Sequence, residues 1–298
     1  MFLCSMKTIA DTLSVFENGL KSLYDTEELS SVKYLALTDI TGLSKAQLRA
    51  FTDNKLSDEQ SQKAENILSE LQTGKPVQYV LGYTEFYGLP FKVNSSVLIP
   101  RPETEELVEW ILKESQESRI KSQETFRILD IGTGSGCIPI ALKKNLPQAQ
   151  VSALDISAEA LNTAKQNAEL NNVDIEFIHA DILNQSDHSP LTTHYSLIVS
   201  NPPYITEHEK REMKHNVLRY EPHTALFVPN NNPLMFYNAI ADFALKQLEP
   251  DGVLFFEINE NLGEQTVELL DHKQFKNIEL RKDMRGKDRM IKAIRLIL

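Results

Sequence analysis

The sequence predicts an α/β fold: a doubly wound sheet of seven mostly parallel strands with an antiparallel C-terminal strand, preceded by a small all-α domain. Three observations predict it. From residue 126 onward, short β-branched runs alternate with amphipathic helical stretches. A glycine-rich turn joins the first of those strands to the helix after it. Residues 1–75, by contrast, show only an apolar period of three to four residues.

Within those first 75 residues, Ile9, Leu13, Phe16, Leu20 and Leu23 fall on one helix face. Leu29, Val32, Leu35 and Leu37 mark a second helix after Thr26. Ser44 and Ser57 stand where N-caps belong, and Gly74 is placed to end the last helix. Residues 76–100 are rich in β-branched and aromatic side chains and broken by glycine and proline. They read as a β-hairpin linker turning near Gly88 and Pro90. Pro102 occupies the first position of a helix running through Leu107, Trp110 and Ile111. Strands follow at 126–131, 150–155, 175–180, 195–200 and 252–258, with helices at 137–145, 158–171, 234–248 and 263–270. Right-handed crossovers make these strands parallel. The stretches 275–283 and 289–297 are too close for a crossover, so they pair antiparallel. The expected division is 1–75, 76–100 and 101–298.

With 298 residues and 41% hydrophobic content the chain can bury a sizeable core, which excludes wholesale disorder. The net charge of −11 argues against a protein that holds duplex DNA by neutralising phosphates. The charge is uneven: −4 over residues 1–85, −12 through the middle and +5 over residues 271–298. Two cysteines, Cys4 and Cys137, make no disulfide framework, and no His/Cys cluster has metal-ligand spacing, so no metal is expected. The opening apolar run MFLC is too short for a signal-peptide core, and nothing approaches the ~18 apolar residues of a membrane span. A soluble, cytoplasmic protein that does not engage membranes is expected.

The residues that carry chemistry fall at strand ends. Asp130-Ile131-Gly132-Thr133-Gly134-Ser135-Gly136 closes a strand and opens a helix. Glycines there permit a tight turn and bring a ligand close to the helix N-terminus. A dinucleotide fingerprint requires G-x-G-x-x-G, but Cys137 takes the sixth position. The remaining G-x-G-x-G is similar to the spacing in S-adenosylmethionine-dependent methyltransferases. Alone, the turn also suits an ordinary strand–turn–helix. Asp155 ends the next strand, 19 residues beyond Gly136, where a carboxylate can accept from both ribose hydroxyls. Asp181 and Ile182 follow the third strand, the first to accept from adenine's exocyclic amine and the second to lie against the ring. A lone strand-terminal Asp is more often a cap. In this order, after a glycine turn, these acids point to a nucleoside.

The fourth strand ends in Ser200-Asn201-Pro202-Pro203-Tyr204. Two prolines remove backbone donors and hold the loop extended, leaving carbonyls free to accept. The Asn201 side-chain carbonyl and the Pro202 backbone carbonyl together suit both protons of a planar NH2 group, and Tyr204 offers a face on which it can stack. A methyl sulfonium is already a strong electrophile, so the weak amide or aryl amine nucleophile is what must be controlled. Hydrogen bonds that strengthen as the nitrogen gains positive charge favour the transition state. No activated Ser, Cys or His is required.

Three longer stretches, GKPVQYVLGYTEFYG (74–88), VLIPRPETEELVE (97–109) and ILDIGTGSGCIPIAL (128–142), resemble the PrmC/HemK family. EPHTAL (221–226) and DMRGKDR (283–289) extend the resemblance over nearly the whole chain. It implies a Rossmann-like class I methyltransferase that uses S-adenosylmethionine and releases S-adenosylhomocysteine. The implied acceptor is the side-chain amide of the glutamine in the GGQ motif of class-1 peptide-chain release factors, a modification that tunes translation termination. By the same resemblance Gly132, Thr133, Gly134, Ser135, Gly136, Asp155, Ile182 and Asn201 line the cofactor. Asn201, Pro202, Pro203 and Tyr204 hold the glutamine, with Asn201, Pro202 and Tyr204 catalytic. Arg101-Pro102-Glu103-Thr104 either borders the cofactor pocket or starts a helix. Two positions depart from the family pattern: Asn259 follows Glu257-Ile258 where a glycine is usual, and Ile182 stands where an aromatic residue can occur.

Two other readings compete with this one. A nucleic-acid adenine amino-methyltransferase would need a basic groove, and only the C-terminal tail is basic. A catalytically silent cofactor-binding partner protein would not need to keep Gly132, Gly134, Gly136, Asp155 and Asn201 together. The expected partner is therefore a release factor, with no direct nucleic-acid contact. The helical region is expected to recognise that factor as a folded protein, so that removing residues 1–75 spares cofactor binding and abolishes methylation.

Overall fold

The computed structural model describes residues 6–117, 126–184, 193–213 and 215–296. It falls into two compact units. One comprises the chain up to Tyr83 together with residues 215–220; the other comprises Thr84–Met213 and the chain from Glu221 onward.

The first unit is helical: α1 (Ile9–Leu20), α2 (Thr26–Thr41), α3 (Lys45–Ala50), α4 (Asp58–Gln72) and α5 (Val77–Leu81). Its helix starts are written locally. Thr8 with Asp11, Ser44 with Gln47 and Ser57 with Gln60 each form a reciprocal capping box, and Asp25 accepts from the N–H groups of Glu27 and Glu28. Each cap satisfies backbone donors that the helix itself leaves unpaired. The apolar faces meet in one core that includes Phe16, Leu20, Leu37, Leu48 and Leu71. Residues 77–81 depart from the expected hairpin. Here Pro76 precedes a short helix that Gly82 closes at φ 81°, and Val77 is buried in the helical core. Burial against helices outweighs the strand preference of VQYVL. The hairpin is confined to β1 (Tyr83–Phe86) and β2 (Leu89–Lys92). Its turn is Tyr87-Gly88, both at positive φ, and Pro90 lies within β2.

The second unit is built on a seven-stranded sheet. Along the chain come α6 (Pro102–Glu117), β3 (Arg127–Ile131), α7 (Cys137–Asn145), β4 (Gln150–Asp155), α8 (Ala158–Leu170), β5 (Glu176–His179) and β6 (Tyr195–Ser200). A two-residue pair, β7 (Ile205–Thr206) with β8 (Phe227–Val228), comes next, and the chain between its strands includes a short helix, α9 (His215–Tyr220), that is part of the first unit. Then follow α10 (Met235–Gln247), β9 (Leu248–Glu257), α11 (Gly263–His272), β10 (Lys276–Lys282) and β11 (Asp288–Ile294). The strand order is β10-β11-β9-β6-β3-β4-β5, and only β11 runs against its neighbours.

Alternating side chains cover the two faces of this sheet. Ile128, Val151, Leu197, Val199 and Phe255 pack with α6 and α7, where Trp110 meets Phe255 edge-on at 5.2 Å. Leu129, Ile131, Leu154, Ile198 and Phe256 pack with α10 and α11. Both faces being covered explains the near-continuous apolar strands. Four cations of the basic tail are ion-paired: Lys282 with Asp288, Arg289 with Asp283, Lys287 with Glu260 and Lys292 with Glu114. Arg281 also lies 4.0 Å from the centre of the Trp110 ring. Among the described residues no helix is long and apolar enough to cross a membrane.

Candidate active site

The strand order reverses between β3 and β6, so a crevice opens beyond their carboxyl ends. Ile131 and Ser200 are register partners there, and the Ser200 hydroxyl donates to the Ile131 carbonyl at 2.6 Å. The two motifs therefore leave from adjoining points, the glycine turn from β3 and the Asn201–Tyr204 loop from β6.

Gly132, Gly134 and Gly136 all have positive φ, at 74°, 54° and 79°, where a side chain is strained. They differ in what surrounds them. A Cβ on Gly132 or Gly134 would meet nothing within 4 Å, whereas one on Gly136 would lie 3.1 Å from Ala164 of α8 and Ile140 of α7. The first two keep a cradle open; the third lets two helices close. Asp155 accepts from the Gly134 N–H at 2.8 Å and the Ser157 N–H at 2.9 Å, which leaves each carboxylate oxygen further acceptor capacity. Burial raises its pKa against those bonds. Asp181 accepts from the Leu183 N–H at 2.9 Å, and Ile182 is buried beside it.

Two groups at the head of the turn are buried close together. Among the described residues, neither carboxylate oxygen of Asp130 nor the Thr133 hydroxyl, all buried, meets the geometry of a hydrogen bond. Burial pushes Asp130 up to about 7 against the opposing pull of the neighbouring Thr133 hydroxyl, and the charge of Asp155 adds to the rise. Cys137, at the start of α7, would ordinarily be activated by the helix terminus, but burial prevails and pushes its thiol up to about 12.

Across the crevice a buried network supports the loop after β6. The Asn201 side-chain N–H donates to the Thr104 hydroxyl at 3.3 Å. Thr104 donates to one oxygen of Glu257 at 2.6 Å, and the Tyr204 hydroxyl donates to the other at 3.2 Å. Glu257 is 1% exposed, and burial raises its pKa. Burial, reinforced by the charge of Glu257, also drives the Tyr204 phenol far above its usual range. The Asn259 side-chain amide donates to the Tyr204 carbonyl at 3.0 Å and to Glu209 at 2.9 Å. Burial favours the neutral acid at Glu209, but the bonds from Asn259 and Thr206 outweigh it and hold the carboxyl below the usual range. Where the family pattern has glycine, this chain uses the side chain as a strut. Arg101 pairs with the buried Glu221 at 2.6 Å, tying the segment before α6 to EPHTAL.

Sequence reasoning placed Gly132–Gly136, Asp155, Asp181, Ile182 and Asn201–Tyr204, and the structure sets them around the ends of the parallel strands. It missed Asp130, Glu257 and Glu209, and it assigned Thr104 no specific role. Glu257 carried a readable signal: like Asp155, it is an acid ending a parallel strand.

Fold and crevice together define a Rossmann-like methyltransferase. The family described as PrmC N-terminal domain matches residues 12–82, and the Methyltransferase small domain matches residues 116–224. A release factor glutamine methyltransferase of Flavobacterium psychrophilum is 51% identical, covering 93% of this chain and 96% of that protein. Its counterpart in Bacteroides thetaiotaomicron is 44% identical over the same shares. Among solved structures, the hMettl16 catalytic domain in complex with a MAT2A 3′UTR hairpin aligns with TM-score 0.53 at 16% identity, covering 93% of this chain and 96% of that one. That likeness speaks to the fold alone. The chain belongs to the release factor glutamine methyltransferase family.

Proposed function

We propose that this protein transfers the methyl group of S-adenosylmethionine to the side-chain amide nitrogen of the GGQ glutamine in class-1 release factors, in the cytoplasm. The observation that carries the reading is the placement of two motifs at one switch point: an open glycine cradle on β3 and an extended Asn-Pro-Pro-Tyr loop on β6.

The residues present fit a cationic nucleoside cofactor. Gly132 and Gly134 leave room for close approach, Asp155 has spare acceptor capacity for a ribose, and the buried oxygens of Asp130 and Thr133, which meet no hydrogen-bond geometry among the described residues, suit a polar ligand. When bound, the cofactor would supply the electrophilic methyl group, its sulfur keeping the bonding pair as a neutral thioether while the methylated nitrogen gives up one proton. The chain's own residues handle the nucleophile. Asn201 and the Pro202 carbonyl accept both amide N–H bonds, and Pro202 and Pro203 hold that loop extended. Tyr204 is fixed at both its hydroxyl and its carbonyl, so it bounds the acceptor site rigidly. Acceptors aimed at an amide that gains positive charge stabilise the transition state more than the ground state. The helical unit is assigned to docking of the folded release factor, because a tripeptide offers little specificity.

The test is parallel incubation of the protein with labelled cofactor and either a release factor or adenine-containing DNA, followed by mass spectrometry of the GGQ peptide. One added methyl on the glutamine is the expected result. Label in DNA alone would favour the adenine enzyme instead. Asn201→Ala should retain cofactor affinity within about 1–2 kcal/mol, the scale of one hydrogen bond, while turnover falls much further.

A further inference from the structure

We propose that Thr104 and Glu257 are positioning residues that fix which way the Asn201 carboxamide faces, so that its oxygen is presented to the acceptor amide. This rests on the functional reading above.

An asparagine side chain can be turned about its last bond, exchanging its oxygen for its NH2 at little steric cost. The distinction is decisive for this chemistry. An amide NH2 acceptor must meet oxygen, whereas a reversed Asn201 would oppose it with its own N–H groups. Something must therefore select one orientation, and the buried network beside Asn201 does so by counting protons.

Glu257 sits at the end of β9, 1% exposed, with a hydroxyl donor on each oxygen to favour the carboxylate against burial, and a carboxylate only accepts. The Thr104 hydroxyl, 2.6 Å from one of its oxygens, spends its single proton there. Thr104 can then offer only lone pairs to Asn201, 3.3 Å away, and only the NH2 end of the carboxamide can answer them. The Asn201 oxygen is left to face away from Thr104. Glu257 is itself held, because its second oxygen takes the Tyr204 hydroxyl at 3.2 Å. One buried carboxylate thus sets the direction of hydrogen bonding at two of the four residues in the Asn-Pro-Pro-Tyr loop. Thr104 lies 97 residues before Asn201 and is brought to it by the first turn of α6, which gives the Arg101–Thr104 segment a role beyond starting a helix.

The test compares Thr104→Val, which keeps the shape and removes the hydroxyl, with Thr104→Ser, which restores it. For each variant, kcat and KM on intact release factor, cofactor Kd and Tm are measured on the full chain. The expected result is a fall in kcat of tenfold or more for Thr104→Val. Cofactor Kd should stay within twofold of wild type, with recovery to within threefold in Thr104→Ser. A merely structural role would move Tm and cofactor Kd together with kcat, and the serine would recover kcat only as far as it recovered Tm. Wild-type kcat in Thr104→Val would overturn the proposal, as would a parallel loss of kcat and cofactor affinity, or a serine variant no better than valine. Failure of the wild-type protein to methylate release factor would instead sink the functional reading, so the two failures are separable.

Discussion

Asp130 shows how one residue carries both a cost and a use. Its carboxyl is buried, meets no hydrogen-bond geometry among the described residues, and is pushed up to about 7 from an ordinary 3.8. Between those values the folded chain holds a proton that the unfolded chain has lost. The stability this group contributes is therefore full below the unfolded pKa and drains away as pH rises through about 7. The shift of about three units corresponds to roughly 4 kcal/mol. Asp130→Asn keeps the neutral shape and removes the titration. In urea denaturation of the ligand-free protein, wild type should lose stability between pH 5 and pH 8 while the Asn variant stays nearly level. Parallel pH slopes for the two proteins would refute this account.

At the level of elements, the three glycines of one turn separate into two kinds. Gly136→Ala would press a methyl into Ala164 and Ile140 at 3.1 Å, wedging α7 from α8. Overpacking and left-handed strain together should cost about 2–4 kcal/mol of stability. Gly132→Ala meets open space, so its stability loss should be limited to about 1–2 kcal/mol of strain, with the larger effect on cofactor affinity. Thermal unfolding and calorimetric titration of both variants would separate the two kinds. The helix caps, the strand–helix alternation and the glycine turn were legible because each is encoded within a few consecutive residues. The α5 segment was not, because its strand-like VQYVL is overruled by burial of Val77 among helices. Nor was the support of Asn201 legible. Thr104 and Glu257 lie 153 residues apart and meet only once the sheet order is set.

For the molecule as a whole, the net charge of −11 is less a surface field than its size suggests. Asp130, Asp155, Glu221, Glu257 and Asp283 are all buried, so these acids lie off the surface. The expected truncation of residues 1–75 also needs revision. Residues 215–220 belong to the same compact unit as the N-terminal helices, and the Tyr220 hydroxyl bonds to the Thr73 hydroxyl at 2.8 Å. Such a cut would strip that segment of its neighbours. Substituting the half-exposed Leu23, Leu35 and Phe51 together by Glu leaves the backbone whole. It should raise KM for release factor at least tenfold and leave cofactor Kd unchanged; an unaltered KM would remove those side chains from the docking surface. The buried thiol of Cys137 has a wider consequence. In a chain whose Cys4 is replaced by serine, it becomes a hidden gauge for the whole catalytic unit. An alkylating reagent can reach it only when its buried surroundings open, so with reclosing faster than alkylation the labelling rate reports the fraction open, and a bound cofactor should lower that fraction as its occupancy rises.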